Sequence, residues 1–191
     1  MTVRKIAFSV EEFYHLYSRG VDKRPIFLDD SDKKRFVRLL FICNGIKPVM
    51  YRETSKLPFK NIDTGQKLVA IGAYCLMPNH FHLLIKEITE GGVVKFMSKL
   101  LTAYSTYFNK KHERIGALFG SEFKSSHLDS NEYLKYIFSY IHLNPLKTLS
   151  VNWRNENPNI PQKYFNNEKD FRNDMHDWIN FHSTITEPSP R

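Results

Sequence analysis

Cysteine is nearly absent: Cys43 and Cys75 are the only two in 191 residues. Two isolated thiols argue against a disulfide scaffold or a zinc knuckle. Both sit in apolar surroundings, which predicts buried core residues. Long apolar runs are also missing, and no stretch approaches the roughly 18 residues that a membrane helix needs. The first apolar run, over residues 6–10, is too short for a signal peptide, and no small-residue cleavage site follows it. The expectation is a cytoplasmic protein with no membrane partner. There is no internal repeat, and the only biased tract is an Asn-rich stretch after residue 151. What is present is ordinary for a soluble domain: 41% hydrophobic and 25% charged residues, with enough length for one sizeable core.

Charge and aromatics are less ordinary. The net charge is +8 and the pI about 9.4, which suits a polyanionic partner, nucleic acid first. Aromatic residues reach 14%. Rings interleaved with Lys and Arg fit single-stranded nucleic acid, because bases stack on rings while cations track phosphates.

Alternation and helical spacing divide the chain. Residues 13–19 read as a first strand, stopped by Gly20. Acidic residues 29–32 mark a helix start, and the helix is predicted over 32–44, with Gly45 as its stop. Residues 44–66 read as a loop or insertion. Strands are predicted over 67–77 and 81–87, broken by Pro78-Asn79. Gly91-Gly92 precedes a helix carrying Val94, Met97, Leu100, Leu101, Tyr104 and Phe108 at steps of three or four. Residues 116–126 suggest a short strand or bend. Asp129 and Glu132 resemble a capping box before a helix over 130–143, which Pro145 ends. An irregular tail over 151–191 follows, with a short helix over 175–181. Strand, helix, strand, strand, helix, strand, helix predicts an α+β fold, a ferredoxin-like or RRM-like antiparallel sheet with helices packed on one face and the other face open.

The most informative segment is Tyr74-Cys75-Leu76-Met77-Pro78-Asn79-His80-Phe81-His82-Leu83-Leu84-Ile85. Residues two apart on a strand share a face, so His80 and His82 project together as a ready pair of metal ligands. Alone, the pair more often means polar residues on the exposed face of a half-buried strand. Tyr133, Tyr136 and Tyr140 share one face of the last helix; such a stripe is usually packing. With the histidines it gains a chemistry. A cation held by imidazoles makes a bound phosphate more electrophilic, a nearby phenol can attack it, and Asn144, one turn past Tyr140, can add an oxygen ligand. Such a donor set tolerates Mg²⁺ or Mn²⁺.

These residues carry a resemblance. The His80-Phe81-His82 segment resembles the signature of the single-tyrosine HUH transposases of the IS200-like superfamily, nearest the REP-associated tyrosine branch. Tyr140-Ile141-His142-Leu143-Asn144-Pro145-Leu146-Lys147 resembles that branch's second signature. Tyr14-His15-Leu16-Tyr17-Ser18-Arg19-Gly20 resembles its first strand, and the block from Gly116 to Lys124 its mid-chain element. Together they place a transposase domain over residues 1–150. The resemblance implies Tyr140 as nucleophile, His80, His82 and Asn144 as metal ligands, and single-stranded DNA, flanked by a hairpin, as substrate of a monomer or homodimer. The product would be a covalent 5′-phosphotyrosine. Arg19, Lys110, Lys111, Arg114 and Lys124 are the candidate DNA contacts. Glu122 and the tail after Trp153 depart from the family pattern. Tyr104 and Tyr107 match no nucleophile motif, and His15, His112, His127 and His142 read as surface, satisfied or DNA-contacting side chains. The competing readings are a non-catalytic nucleic-acid-binding module of the same fold and a metal hydrolase that uses water.

Overall fold

The computed structural model describes residues 7–143. Asn144, the tail over 151–191 and the helix expected over 175–181 lie outside the described residues. The elements are β1 (Phe13–Arg19), α1 (Asp30–Ile42), a one-turn α2 (Tyr51–Thr54), β2 (Val69–Met77), β3 (His80–Glu87), α3 (Gly92–Lys111), β4 (Lys124–His127) and α4 (Asn131–Leu143). The sheet order is β2-β3-β1-β4, every pair antiparallel. With α1 and α3 as the crossovers, this is the ferredoxin-like arrangement expected from the pattern.

Period-two alternation along the central strands builds two cores. Leu16, Phe81, Leu83 and Ile85 point to one side, where they meet Phe36 and Leu39 of α1 and Phe96, Leu100, Tyr104 and Phe108 of α3. The opposite side is not left open, as the sequence had suggested. Helix α4 covers part of it, burying Leu134, Ile137 and Ile141 against Ala70, Ala73, Cys75, Met77 and Leu84. Those sheet residues are mostly small, and that lets the helix lie close. A register shift in β2 between Ile71 and Ala73 produces this strip. One extra residue inverts the phase of a strand, so Ala73, Cys75 and Met77 face α4 while Tyr74 is left 43% exposed on the other side. Among the described residues, no helix is long and apolar enough to cross a membrane.

Helix α1 starts at Asp29, whose side chain accepts from the Asp32 backbone N–H at 3.0 Å. Asp32 itself is fully buried. It accepts from the Leu28 N–H (2.9 Å), the Lys111 ammonium (2.8 Å) and the Tyr107 hydroxyl (3.0 Å), and pairs with His112 Nε2 at 3.1 Å. This cluster fastens the start of α1 to the end of α3. Burial alone would raise the Asp32 carboxyl, but the hydrogen bonds, Lys111 foremost, outweigh it and hold it below the usual carboxylate range.

Gly20 joins this frame to the β2–β3 turn. Its N–H donates to the Asn79 carbonyl at 2.9 Å. A Cβ here would collide with the Arg24 carbonyl oxygen and lie 2.9 Å from Ile26 Cγ2, so only glycine fits.

Two consequences are measurable. Asp32→Ala removes the acceptor of the Leu28 N–H and the Tyr107 hydroxyl, while Lys111 keeps Asp29, and is expected to cost about 1–3 kcal/mol in urea unfolding. Because the folded carboxyl titrates below its unfolded value near 3.9, its contribution is present above that value and is lost as pH falls through the folded one. The melting temperature of the wild type should therefore fall more steeply than that of Asp32→Asn as the solution is acidified below about pH 4; parallel curves would refute this. Gly20→Ala should lose about 1–3 kcal/mol through overpacking against backbone, read by the same unfolding assay.

Candidate active site

β3 leaves the Pro78-Asn79 turn with His80 and His82 on the α4 side of the sheet and Phe81 fully buried on the other. The two imidazoles lie edge to face with centroids 5.0 Å apart. His80 is half-buried, and His82 is 6% exposed.

Each ring is engaged through Nδ1. The Asn79 side chain donates through Nδ2 to the Lys23 carbonyl at 3.0 Å. That fixes the amide orientation, so Oδ1 faces His80 Nδ1 at 2.6 Å and accepts its proton. His82 Nδ1 lies 2.8 Å from Nε2 of His15, a buried contact between neighbouring strands. A metal would therefore be taken through Nε2 of both rings. The donor set fits a divalent cation in part: among the described residues no three His, Cys, Asp or Glu side chains converge on one point. The amide expected to complete the set, Asn144, lies outside the described residues.

β1 runs beside β3 with Tyr17 opposite His82 and Arg19 opposite His80. Paired residues share a face, so Phe13, His15, Tyr17 and Arg19 line the histidine side. Tyr17 lies 5.8 Å from His82 and 5.3 Å from His15, ring to ring. On the far side of β1, Lys124 of β4 is opposite Tyr17 and exposed. Helix α4 then brings Tyr140 over the group. Its ring meets His82 edge to face at 5.4 Å and His15 at 6.2 Å. Tyr133, Tyr136 and Tyr140 stack along the helix, with centroids 6.5 and 6.1 Å apart. Tyr136 is 54% exposed, whereas Tyr133 and Tyr140 pack against the second core.

His80, His82 and Tyr140, separated by about sixty positions, thus come together within one chain. His15 was expected at the surface or as a satisfied polar side chain; the second holds, since it is 7% exposed and in hydrogen-bond contact with His82, and this puts it inside the site. Burial pushes its imidazole down to about 4. The signal that could have found it is the Phe13-x-His15-x-Tyr17-x-Arg19 alternation, which puts all four on one face. Asn79 had been read only as a break between strands. The cationic residues divide. Arg19 and Lys124 stand on the histidine side. Lys110 and Lys111 end α3 and Arg114 follows it, across the sheet, and Lys111 is bound to Asp29 and Asp32. Tyr104 and Tyr107 are also across the sheet, donating to the Ile26 carbonyl and to Asp32. His112 joins Asp32, His127 pairs with Glu12, and His142 Nδ1 lies 2.8 Å from the Phe138 carbonyl.

Comparison with known proteins bears on the fold and the family. Among solved structures, one of a REP-associated tyrosine transposase bound to a REP hairpin is similar over 78% of this chain and 74% of its own, with a TM-score of 0.50 and 12% identity. A crystal structure of a transposase candidate from Deinococcus radiodurans R1 overlaps 74% of this chain and 95% of its own, with a TM-score of 0.42 and 14% identity. The first of these likenesses supports the fold. No curated protein matches the chain. A family profile described as "Transposase IS200 like" matches residues 48–144, which include both histidines, Tyr140 and the whole of β2, β3, α3 and β4. The chain belongs to the IS200-like transposase family.

Proposed function

We propose that this protein cuts and rejoins single-stranded DNA, with Tyr140 as nucleophile and Mg²⁺ or Mn²⁺ held by Nε2 of His80, Nε2 of His82 and the amide oxygen of Asn144. The observation that carries the reading is the approach of the Tyr140 ring to within 5.4 Å of His82 in the same chain. When bound, the cation withdraws electron density from a phosphate oxygen and makes the phosphorus a better electrophile.

The chain's own residues do the rest. The Tyr140 oxygen attacks phosphorus, and the bond from phosphorus to the 3′ oxygen breaks. The leaving oxygen takes up a proton as the phenol gives one to solvent. The strand ends are then a 5′ phosphate joined to Tyr140 and a 3′ hydroxyl. One phosphate ester has replaced another, so attack by a new 3′ hydroxyl releases the tyrosine and joins the strands. Arg19 and Lys124, on the same face as the histidines, would contact phosphates near the cut. Lys110 and Arg114 would meet more distant phosphates, reached around the end of the sheet. The REP hairpin bound by the structural neighbour supports a hairpin-flanked strand as substrate. The approach of Tyr140 to His82 within one chain supports a site assembled in cis.

The test is incubation with a labelled hairpin oligonucleotide bearing single-stranded flanks, in Mn²⁺ or Mg²⁺, followed by a denaturing gel. A covalent adduct is expected, mapping to the peptide that contains Tyr140 rather than Tyr17. Tyr140→Phe should reduce it by about 10³-fold or more, and His80→Ala with His82→Ala should abolish it while the hairpin still binds. Binding without any cleavage would favour a binding module of the same fold. Cleavage without an adduct would mean that water is the nucleophile.

A further inference from the structure

We infer that His15 is a positioning residue: its buried Nε2 accepts a hydrogen bond from Nδ1–H of His82 and so holds His82 in the tautomer whose lone pair sits on Nε2. The inference rests on the metal reading above and adds to it a residue on another strand.

Two nitrogens 2.8 Å apart in a buried contact must share one proton, since two donors facing each other would repel. If His15 donates, His82 Nδ1 is the acceptor, and a neutral His82 then carries its proton on Nε2 and cannot ligate through it. If His82 donates, Nε2 is the basic nitrogen. His80 shows which arrangement the site is built for. Asn79 is clamped by the Lys23 carbonyl, so its oxygen can only accept the His80 Nδ1 proton. His80 is thereby fixed with its lone pair on Nε2, and His15 supplies the matching acceptor for His82. Ligating histidines are commonly oriented in this way by an acceptor at the other ring nitrogen.

The geometry around His15 leaves it little freedom. Its ring is nearly parallel to His82, with centroids 5.0 Å apart and 19° between planes, and it stacks on Tyr17 at 5.3 Å and 29°. The β1–β3 register sets the backbone on both sides: Tyr17 faces His82, and His15 is one pleat along. An acceptor held this firmly pre-orients its partner before any cation arrives.

The test uses the full chain and reads two things besides activity. The ¹⁵N shifts of the imidazoles in the metal-free wild type should show His82 protonated on Nδ1. In Mn²⁺ calorimetry, His15→Phe, which keeps a ring but removes the acceptor, should weaken binding by about 10–100-fold. His15→Gln, whose amide oxygen can stand where Nε2 stood, should recover most of that loss. A wild-type His82 with its proton on Nε2 would overturn the inference, while Mn²⁺ binding by the same protein would keep the metal reading standing, the proton being displaced on ligation. Equal Mn²⁺ affinity in wild type and a folded His15→Phe would do the same, as would equal losses in both variants. The expected tautomer without any Mn²⁺ binding would overturn the metal reading, and with it the inference. Should His15→Phe fail to fold, the wild-type tautomer together with the Gln variant still decides.

Discussion

The antiparallel pairing of β1 with β3 is the constraint from which the site follows. It aligns Tyr17 with His82 and Arg19 with His80. Because side chains alternate with a period of two, the same register sends Leu16, Phe81 and Leu83 into the core beneath α1 and α3. A slip of one residue would bury the histidines in that core and expose its leucines. The cost of doing so makes the hydrophobic core the guardian of the polar face. The polar face is held in place by side chains that are not part of it.

The other half of the site arrives on a helix. α4 rests on Ala70, Ala73 and Cys75, and the bulge in β2 is what turns the latter two toward it. Small side chains permit close approach, and the approach sets how far the Tyr140 ring stands from His82. The site is therefore divided between a sheet that fixes two imidazoles and a helix whose distance is set by the residues beneath it. The cluster at Asp32 secures α1 to α3 on the opposite face and leaves the histidine side undisturbed.

Much of this was legible in the sequence because it is local. The His80 and His82 pair, the turn at Pro78-Asn79, the helix start at Asp29 and the tyrosine stripe of α4 all follow from spacing of two, three or four residues. The order of elements was enough for the ferredoxin-like topology. What was not legible depends on contacts between distant segments. Nothing in the run around His15 says that its partner is 67 positions away. The phase inversion in β2 occurs at a single residue and leaves no clear mark on a strand rich in apolar and small side chains. Lys111 looked like part of a cationic patch with Lys110 and Arg114, but charge alone does not tell a solvated lysine from one bound to a buried Asp32.

Both histidines are anchored at Nδ1, by unlike means. His80 relies on an amide from its own turn, itself clamped by the Lys23 carbonyl, so its orientation is local and survives any change in sheet packing that keeps the turn. His82 relies on a ring from the neighbouring strand, so its orientation depends on the β1–β3 register and on the burial that excludes water from the contact. In water, either nitrogen of His82 could find a partner, and neither tautomer would be imposed. Inside the sheet, burial sets a ring of the neighbouring strand against Nδ1. Burial of His15 excludes competing acceptors from the contact. A buried strand position acts at the same time as the orienting group of a site completed by a different strand and by a helix.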